Sequence, residues 1–122
     1  MDYRKSRAWQ RADDLAVQVY EASRKLPKEE VYGFTAQIRR AAISVAANIA
    51  EGSGRSTKKD FLHFLYQARG SSREVEYYVH LAQRLSYLEA ETTNRLRTAV
   101  NETGRALYGL INHWKERDTD TI

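Results

Sequence analysis

Apolar residues recur along this chain at alternating three- and four-residue steps, the period of a helix that buries one face. Trp9, Ala12, Ala16, Val19, Ser23 and Leu26 follow that step and predict a first helix from about Ala8 to Leu26. Arg11, Asp14, Gln18, Glu21 and Lys25 fill its wet side. Pro27 lacks an N–H and biases Leu26 away from the α region, so the helix is expected to stop there. Lys28 to Gly33 reads as a turn. A second helix is predicted from Phe34 or Thr35 to Glu51, and between Ala41 and Ala50 its only polar residues are Ser44 and Asn48. Such a helix should be buried on most sides. One polar row still runs along it, through Gln37, Arg40, Ser44, Asn48 and Glu51.

GSGRS at positions 52–56 is the clearest break, with two flexible glycines and a serine able to cap the next helix. A third helix is predicted from Ser56 or Thr57 to Leu85, with Phe61, Leu65, Ala68, Ser72, Val75, Val79 and Ala82 inward. Ala68, Gly70, Ser71 and Ser72 are small enough to let a neighbouring helix approach closely at its middle. After a turn at Ser86 to Leu88, a fourth helix is predicted from Glu89 to Arg117, with Leu96, Val100, Leu107, Leu110, Ile111 and Trp114 inward. The final RDTDTI reads as a frayed tail. Four amphipathic helices with short connections describe an all-α, antiparallel up-down four-helix bundle that takes up residues 1–122 as a single domain.

Composition narrows the function classes. Twenty Lys and Arg against sixteen Asp and Glu leave a net charge of +4, and no cysteine is present. A disulfide framework, a thiolate metal site and a Cys nucleophile are thereby excluded. No apolar run is long enough to span a bilayer and no signal peptide opens the chain, so a cytoplasmic location without membrane contact is expected. Glu76 and His80 are i, i+4 partners with no further ligands at recognisable spacing. Ser53 lies in a loop without a His–Asp partner, and Gly52-x-Gly54 is too short for a phosphate-binding fingerprint. No enzyme, metal or cofactor is expected.

Charge is unevenly placed. From Ala36 to Arg73 there are seven cations, Arg39, Arg40, Arg55, Lys58, Lys59, Arg69 and Arg73, against Glu51 and Asp60. Arg55, Lys58 and Lys59 surround the start of the third helix, where free N–H groups favour an anion. Two readings stand there: a phosphate site, or solubilising loop charges. Tyr66, Arg69, Arg73, Tyr77, His80 and Arg84 form a stripe suited to RNA or single-stranded DNA, with cations for phosphates and rings for bases. Packing of those tyrosines at a subunit interface is the competing and compatible reading. The apolar excess of the second helix points to self-association, with Gln37, Ser44, Asn48 and Glu51 as a polar row that fixes register and Asn48 and Ser44 bonded across helices; the competing reading is an Ala-rich surface mild enough to stay wet.

QIRRAAISVAANIAEGSGR at 37–55, the KKDFL start of the third helix and ARGSSREVE at 68–76 closely resemble the four-helix bundle proteins encoded by intervening sequences of bacterial large-subunit ribosomal RNA genes. The likeness extends over almost the whole chain, and its most specific part is NIAEG-x-GR at Asn48 to Arg55; Ala46 stands where many relatives have proline. The resemblance implies a ring-like homopentamer with basic surfaces. More remotely, the fold is similar to that of the accessory variability proteins of diversity-generating retroelements, which bind nucleic acid and a partner reverse transcriptase. The expected function is therefore a non-enzymatic, oligomeric nucleic-acid-binding protein, RNA more than DNA, through phosphate contacts at Arg39, Arg40, Arg55, Lys58, Lys59, Arg69, Arg73 and Arg84. The alternative is an accessory scaffold for a reverse transcriptase.

Overall fold

The computed structural model describes residues 1–122. It contains α1 (Arg7–Ser23), α2 (Phe34–Ser53), α3 (Lys58–Arg84) and α4 (Ala90–Glu116), with single 3-10 turns at Tyr3–Lys5 and Lys28–Glu30. Helices α1 and α3 each pack on α2 and α4, whereas the diagonal pairs do not meet. The cross-helix pairs Arg11–Glu102, Arg40–Glu74 and Arg97–Gln83 fit antiparallel neighbours, so the chain forms an up-down four-helix bundle.

Each helix end has a local cause. Ser6 Oγ accepts the Trp9 N–H at 3.4 Å and starts α1. The helix stops at Ser23, three residues before the expected Leu26. Ser23 Oγ donates to the Tyr20 carbonyl and accepts from Arg39 Nε at 2.7 Å, while Leu26 folds under and is still buried. The buried face of α1 is also rotated from the predicted one. Ala8, Leu15 and Ala22 join Ala12, Val19 and Ser23 inside, and Trp9 and Ala16 lie half-buried at the flank. The cause is that α1 packs against two neighbours, α2 and α4, and its buried centre lies between them.

Helix α2 begins without a capping side chain at Gly33, and a carboxylate from the preceding turn takes that role. Glu30 Oε1 accepts the Phe34 N–H at 3.2 Å, and Glu30 Oε2 accepts the Tyr87 hydroxyl at 2.9 Å. The Phe34 ring stands edge-on to Tyr78 and Tyr87, each 5.8 Å away. One acidic side chain thus ties the α1–α2 turn to the α3–α4 turn. At its other end α2 runs past Glu51, because Gly52 is a buried helical residue rather than a loop glycine. A Cβ there would lie 2.7 Å from Phe64 Cβ and 3.0 Å from Phe61 Cδ1, so glycine is what lets α2 meet α3.

Thr57, not Ser56, caps α3, its Oγ1 accepting the Asp60 N–H at 3.2 Å. The tail expected to fray is instead folded back over this helix start. The Lys58 N–H donates to the Asp120 carbonyl at 2.9 Å, Lys58 Nζ donates to the Arg117 carbonyl at 2.8 Å, and Thr57 pairs with Thr121. Ile122 packs on the core. At the far end of α3, Ser86 takes a left-handed φ of 58°, and the Tyr87 N–H returns to the Ala82 carbonyl.

The core has two apolar clusters. One gathers Leu15, Val19, Ile38, Val75, Val79 and Leu96, and the other Val45, Ile49, Phe61, Leu65, Leu107 and Trp114. Every inward position predicted for α3 is buried. Ser72 and Thr103 lie buried at the waist, and Thr103 Oγ1 donates to the Ala99 carbonyl at 2.8 Å. Of the four small residues in mid-α3, Ala68, Ser71 and Ser72 are buried as a close approach requires. Gly70 is not, and like Gly104 and Gly109 it has nothing within 4 Å of where a Cβ would stand.

These contrasts set two expectations for urea unfolding. Gly52→Ala should cost roughly 1–3 kcal/mol through overpacking against Phe61 and Phe64. Gly70→Ala and Gly109→Ala should raise stability by up to about 1 kcal/mol, because alanine is the better helix former and meets no neighbour. The bundle-end clamp has its own signature. The hydrogen bond to Glu30 raises the Tyr87 phenol above its ordinary value of 10. That contribution to stability is complete below pH 10 and is lost as pH rises through the folded-state value. Tyr87→Phe should therefore lower the melting temperature at neutral pH and flatten its fall in alkaline buffer.

Candidate nucleic-acid interface

An α-helix packed on two neighbours leaves its remaining arc to solvent, and the sequence decides what is displayed there. On α3 that arc carries Tyr66, Arg69, Gly70, Arg73, Tyr77, His80 and Arg84, all exposed. Neither tyrosine belongs to an apolar cluster of the core. The Arg69 guanidinium lies 5.0 Å from the Tyr66 ring centroid, a cation–π contact, and makes no ion pair. Arg73 reaches Glu76 at 3.3 Å as a solvent-exposed i, i+3 pair of little strength. Arg84 makes no ion pair. Glu76 and His80 share this face, with no group of three metal-capable side chains around them.

The other cations of the basic stretch do not join this face. Arg39 is half-buried, bonded to Ser23 and stacked 4.6 Å from the Tyr20 ring centroid. Arg40 pairs with Glu74 at 2.8 Å, and that hydrogen bond and charge hold its guanidinium pKa above the ordinary value. At the opposite end, about 20 Å along the helix axis by the ~1.5 Å rise per residue, Arg55 pairs with Glu51 and lies over the Phe64 ring. Lys58 is held by the tail, and Lys59 has no ion pair. The amides at the start of α3 are largely taken as well, by Thr57 and Asp120. The seven clustered cations are thus contiguous in sequence but divided in space.

The polar row of α2 is distributed similarly. Asn48 Nδ2 donates to the Ser44 carbonyl at 2.8 Å within the same helix, not across helices. Gln37 accepts from Arg40 and Glu51 from Arg55, both at the surface. The apolar excess of α2 lies to one side of this row, toward α1, where Val17, Tyr20, Val31 and Ile43 are exposed. Tyr20, Val31, Ala36 and Ile43 line a depression there together with Thr35, Ser44, Arg39 and Arg40.

The fold adds residues from α4 that sequence reasoning missed. Between α3 and α4 runs a groove of about 850 Å³ where Arg69 and Arg73 face Arg105 and Tyr108, with Asn101 and Gly104 between. Arg105, Gly104 and Tyr108 occupy one outward turn of α4 in the sequence, yet only the antiparallel register brings them opposite Arg69 and Arg73. No helix is long and apolar enough to cross a membrane.

Comparison with known proteins agrees with this architecture. Residues 4–109 match the family described as 23S rRNA-intervening sequence protein. A crystal structure from Bacteroides thetaiotaomicron, of a protein with unknown function from the S23 ribosomal protein family, superposes with a TM-score of 0.79 at 24% identity. The alignment covers 85% of this chain and 97% of that one, and at this identity it speaks for the fold. No curated protein matches the chain.

Proposed function

Since the chain belongs to the 23S rRNA-intervening sequence protein family, we propose that it is a non-enzymatic protein that binds structured RNA through repeated phosphate contacts. The observation that carries this reading is the exposed face of α3, where Tyr66, Arg69, Arg73, Tyr77 and Arg84 follow one another and none is committed to the core. Arginines supply the sequence-independent term of RNA binding, and exposed rings can stack on unpaired bases. Arg69, Arg73 and Arg84 are the principal contacts, with Lys59 auxiliary. Arg39, Arg40, Arg55 and Lys58 shape the bundle surface through their own partners.

Self-association belongs to the same reading. Tyr20, Val31 and Ile43 line one exposed depression on α1, α2 and the turn between them, off the α3 arginine face. Covered by a second copy, it would leave every arginine face in a ring free for RNA. The family resemblance implies a ring of five. Repetition of weak phosphate contacts around it would add avidity.

Filter binding across a salt series tests the RNA reading. The affinity should fall steeply with salt, and joint replacement of Arg69, Arg73 and Arg84 by alanine should reduce the log–log slope by about two to three. An unchanged slope removes the α3 face from the reading, and no retention at low salt ends it. Light scattering tests the ring. The wild type should weigh about five times its 14.1 kDa chain, and Ile43→Asp should give single chains of unchanged helicity. A wild-type mass near one chain would remove the ring.

A further inference from the structure

We infer that the α3–α4 groove seats an unpaired RNA nucleotide, its base against Tyr108 over Gly104 and its phosphates on Arg69, Arg73 and Arg105. This rests on the RNA-binding reading and narrows it to one site and one kind of ligand.

Charge selects the groove first. Three guanidiniums and one carboxylate, Glu76, line it, and Glu76 already answers Arg73. An anion there relieves an uncompensated positive field. The groove between α1 and α4 has a comparable size, about 630 Å³, but Glu91 and Glu102 outnumber Arg95 in its walls. Arg69 and Arg73 are one turn apart, about 6 Å along the axis, so they can follow successive phosphates of one strand. Arg105 stands on the opposite wall.

The aromatic and the glycine then point to a base. Tyr108 is 67% exposed and so contributes little to its own fold. One turn before it, Gly104 has nothing within 4 Å of a Cβ position. Glycine is among the poorest residues for a helix interior, and no packing contact within the chain explains it at this position. What it provides is a bare strip of helix beside an exposed ring. The groove volume also falls within the roughly 300–1,000 Å³ of small-ligand sites. In an RNA duplex the bases are stacked inside and the major groove is too narrow for a side chain to reach them. A loop, bulge or strand end offers both base and phosphates at once, and aromatic stacking on such bases tolerates any sequence.

The test uses the full chain and two probes, an oligouridylate strand containing one 2-aminopurine and a blunt RNA hairpin stem. Wild type and Tyr108→Phe should bind the strand and quench the 2-aminopurine. Tyr108→Ala and Gly104→Leu should lose the quench and about tenfold in strand affinity, with stem affinity changed less than about twofold. Both variants should keep their helicity, and Gly104→Leu should melt no lower than wild type, which separates a filled groove from a damaged fold. Strand binding and quench unchanged in both variants would overturn the seat while leaving RNA binding by the α3 face intact. Equal losses on strand and stem would also overturn it, because the groove would then contact phosphate only. Failure of the wild type to bind either probe removes the RNA reading and the seat with it.

Discussion

The contact that orients everything else is the approach of α2 to α3 at Gly52. Without a Cβ at that position, Phe61 and Phe64 can lie against the end of α2, and Phe61 is fully buried with its ring edge-on to Trp114 at 5.4 Å. Once Phe61 is seated, the rotation of α3 is set. Each residue turns the helix by 100°, so Leu65, Ala68, Ser72, Val75 and Val79 must follow Phe61 inward. Tyr66, Arg69, Arg73 and Tyr77 are then carried outward by the same rotation. A shift of one residue would drive Arg69 toward the core, where an unpaired guanidinium is costly. Packing at one glycine therefore dictates where the positive charge is displayed.

The electrostatic picture follows from that geometry more than from net charge. A formal +4 describes the chain, but its cations do three different things. Arg39 stacks on Tyr20 and bonds Ser23, acting as a clasp between α1 and α2. Arg40, Arg55 and Lys58 answer Glu74, Glu51 and the Arg117 carbonyl of their own chain. Of the cations in the basic stretch, Lys59 and those on the outer arc of α3, which Arg105 of α4 joins at the groove, are left with little competition for a polyanion. Surface ion pairs such as Arg73–Glu76 are weak enough to be exchanged for phosphate at small cost.

Much of the fold was legible in the residues. The heptad-like spacing of α3 identified every buried position predicted for it, because a long helix packed on two neighbours has a strong and regular period. The buried face of α1 lies one step from the one its hydrophobic spacing suggests, since Trp9 looks like a core residue by hydrophobicity but sits at a flank beside the Tyr3 ring. Gly52 and the tail depart from the local sequence signal for a related reason. Glycine in GSGRS signals a turn locally, and RDTDTI signals solvent, but tertiary contacts with Phe64 and with Thr57 and Lys58 override both. The candidate interface was half visible. A single helix exposes its own stripe in sequence, so the α3 face could be found; the α4 wall required the antiparallel register. Charge counted along the chain grouped Arg39 and Arg55 with Arg69, although they stand on different parts of the molecule.

Ultraviolet crosslinking of bound RNA, followed by mass spectrometry of the tryptic peptides, tests most directly the claim that the α3 face and its α4 wall receive RNA. Crosslinks are expected at Tyr66, Tyr77 and Tyr108, with none at Tyr20 on the apolar side. Crosslinks confined to Tyr20 would contradict the assignment and place RNA on the apolar surface proposed for self-association.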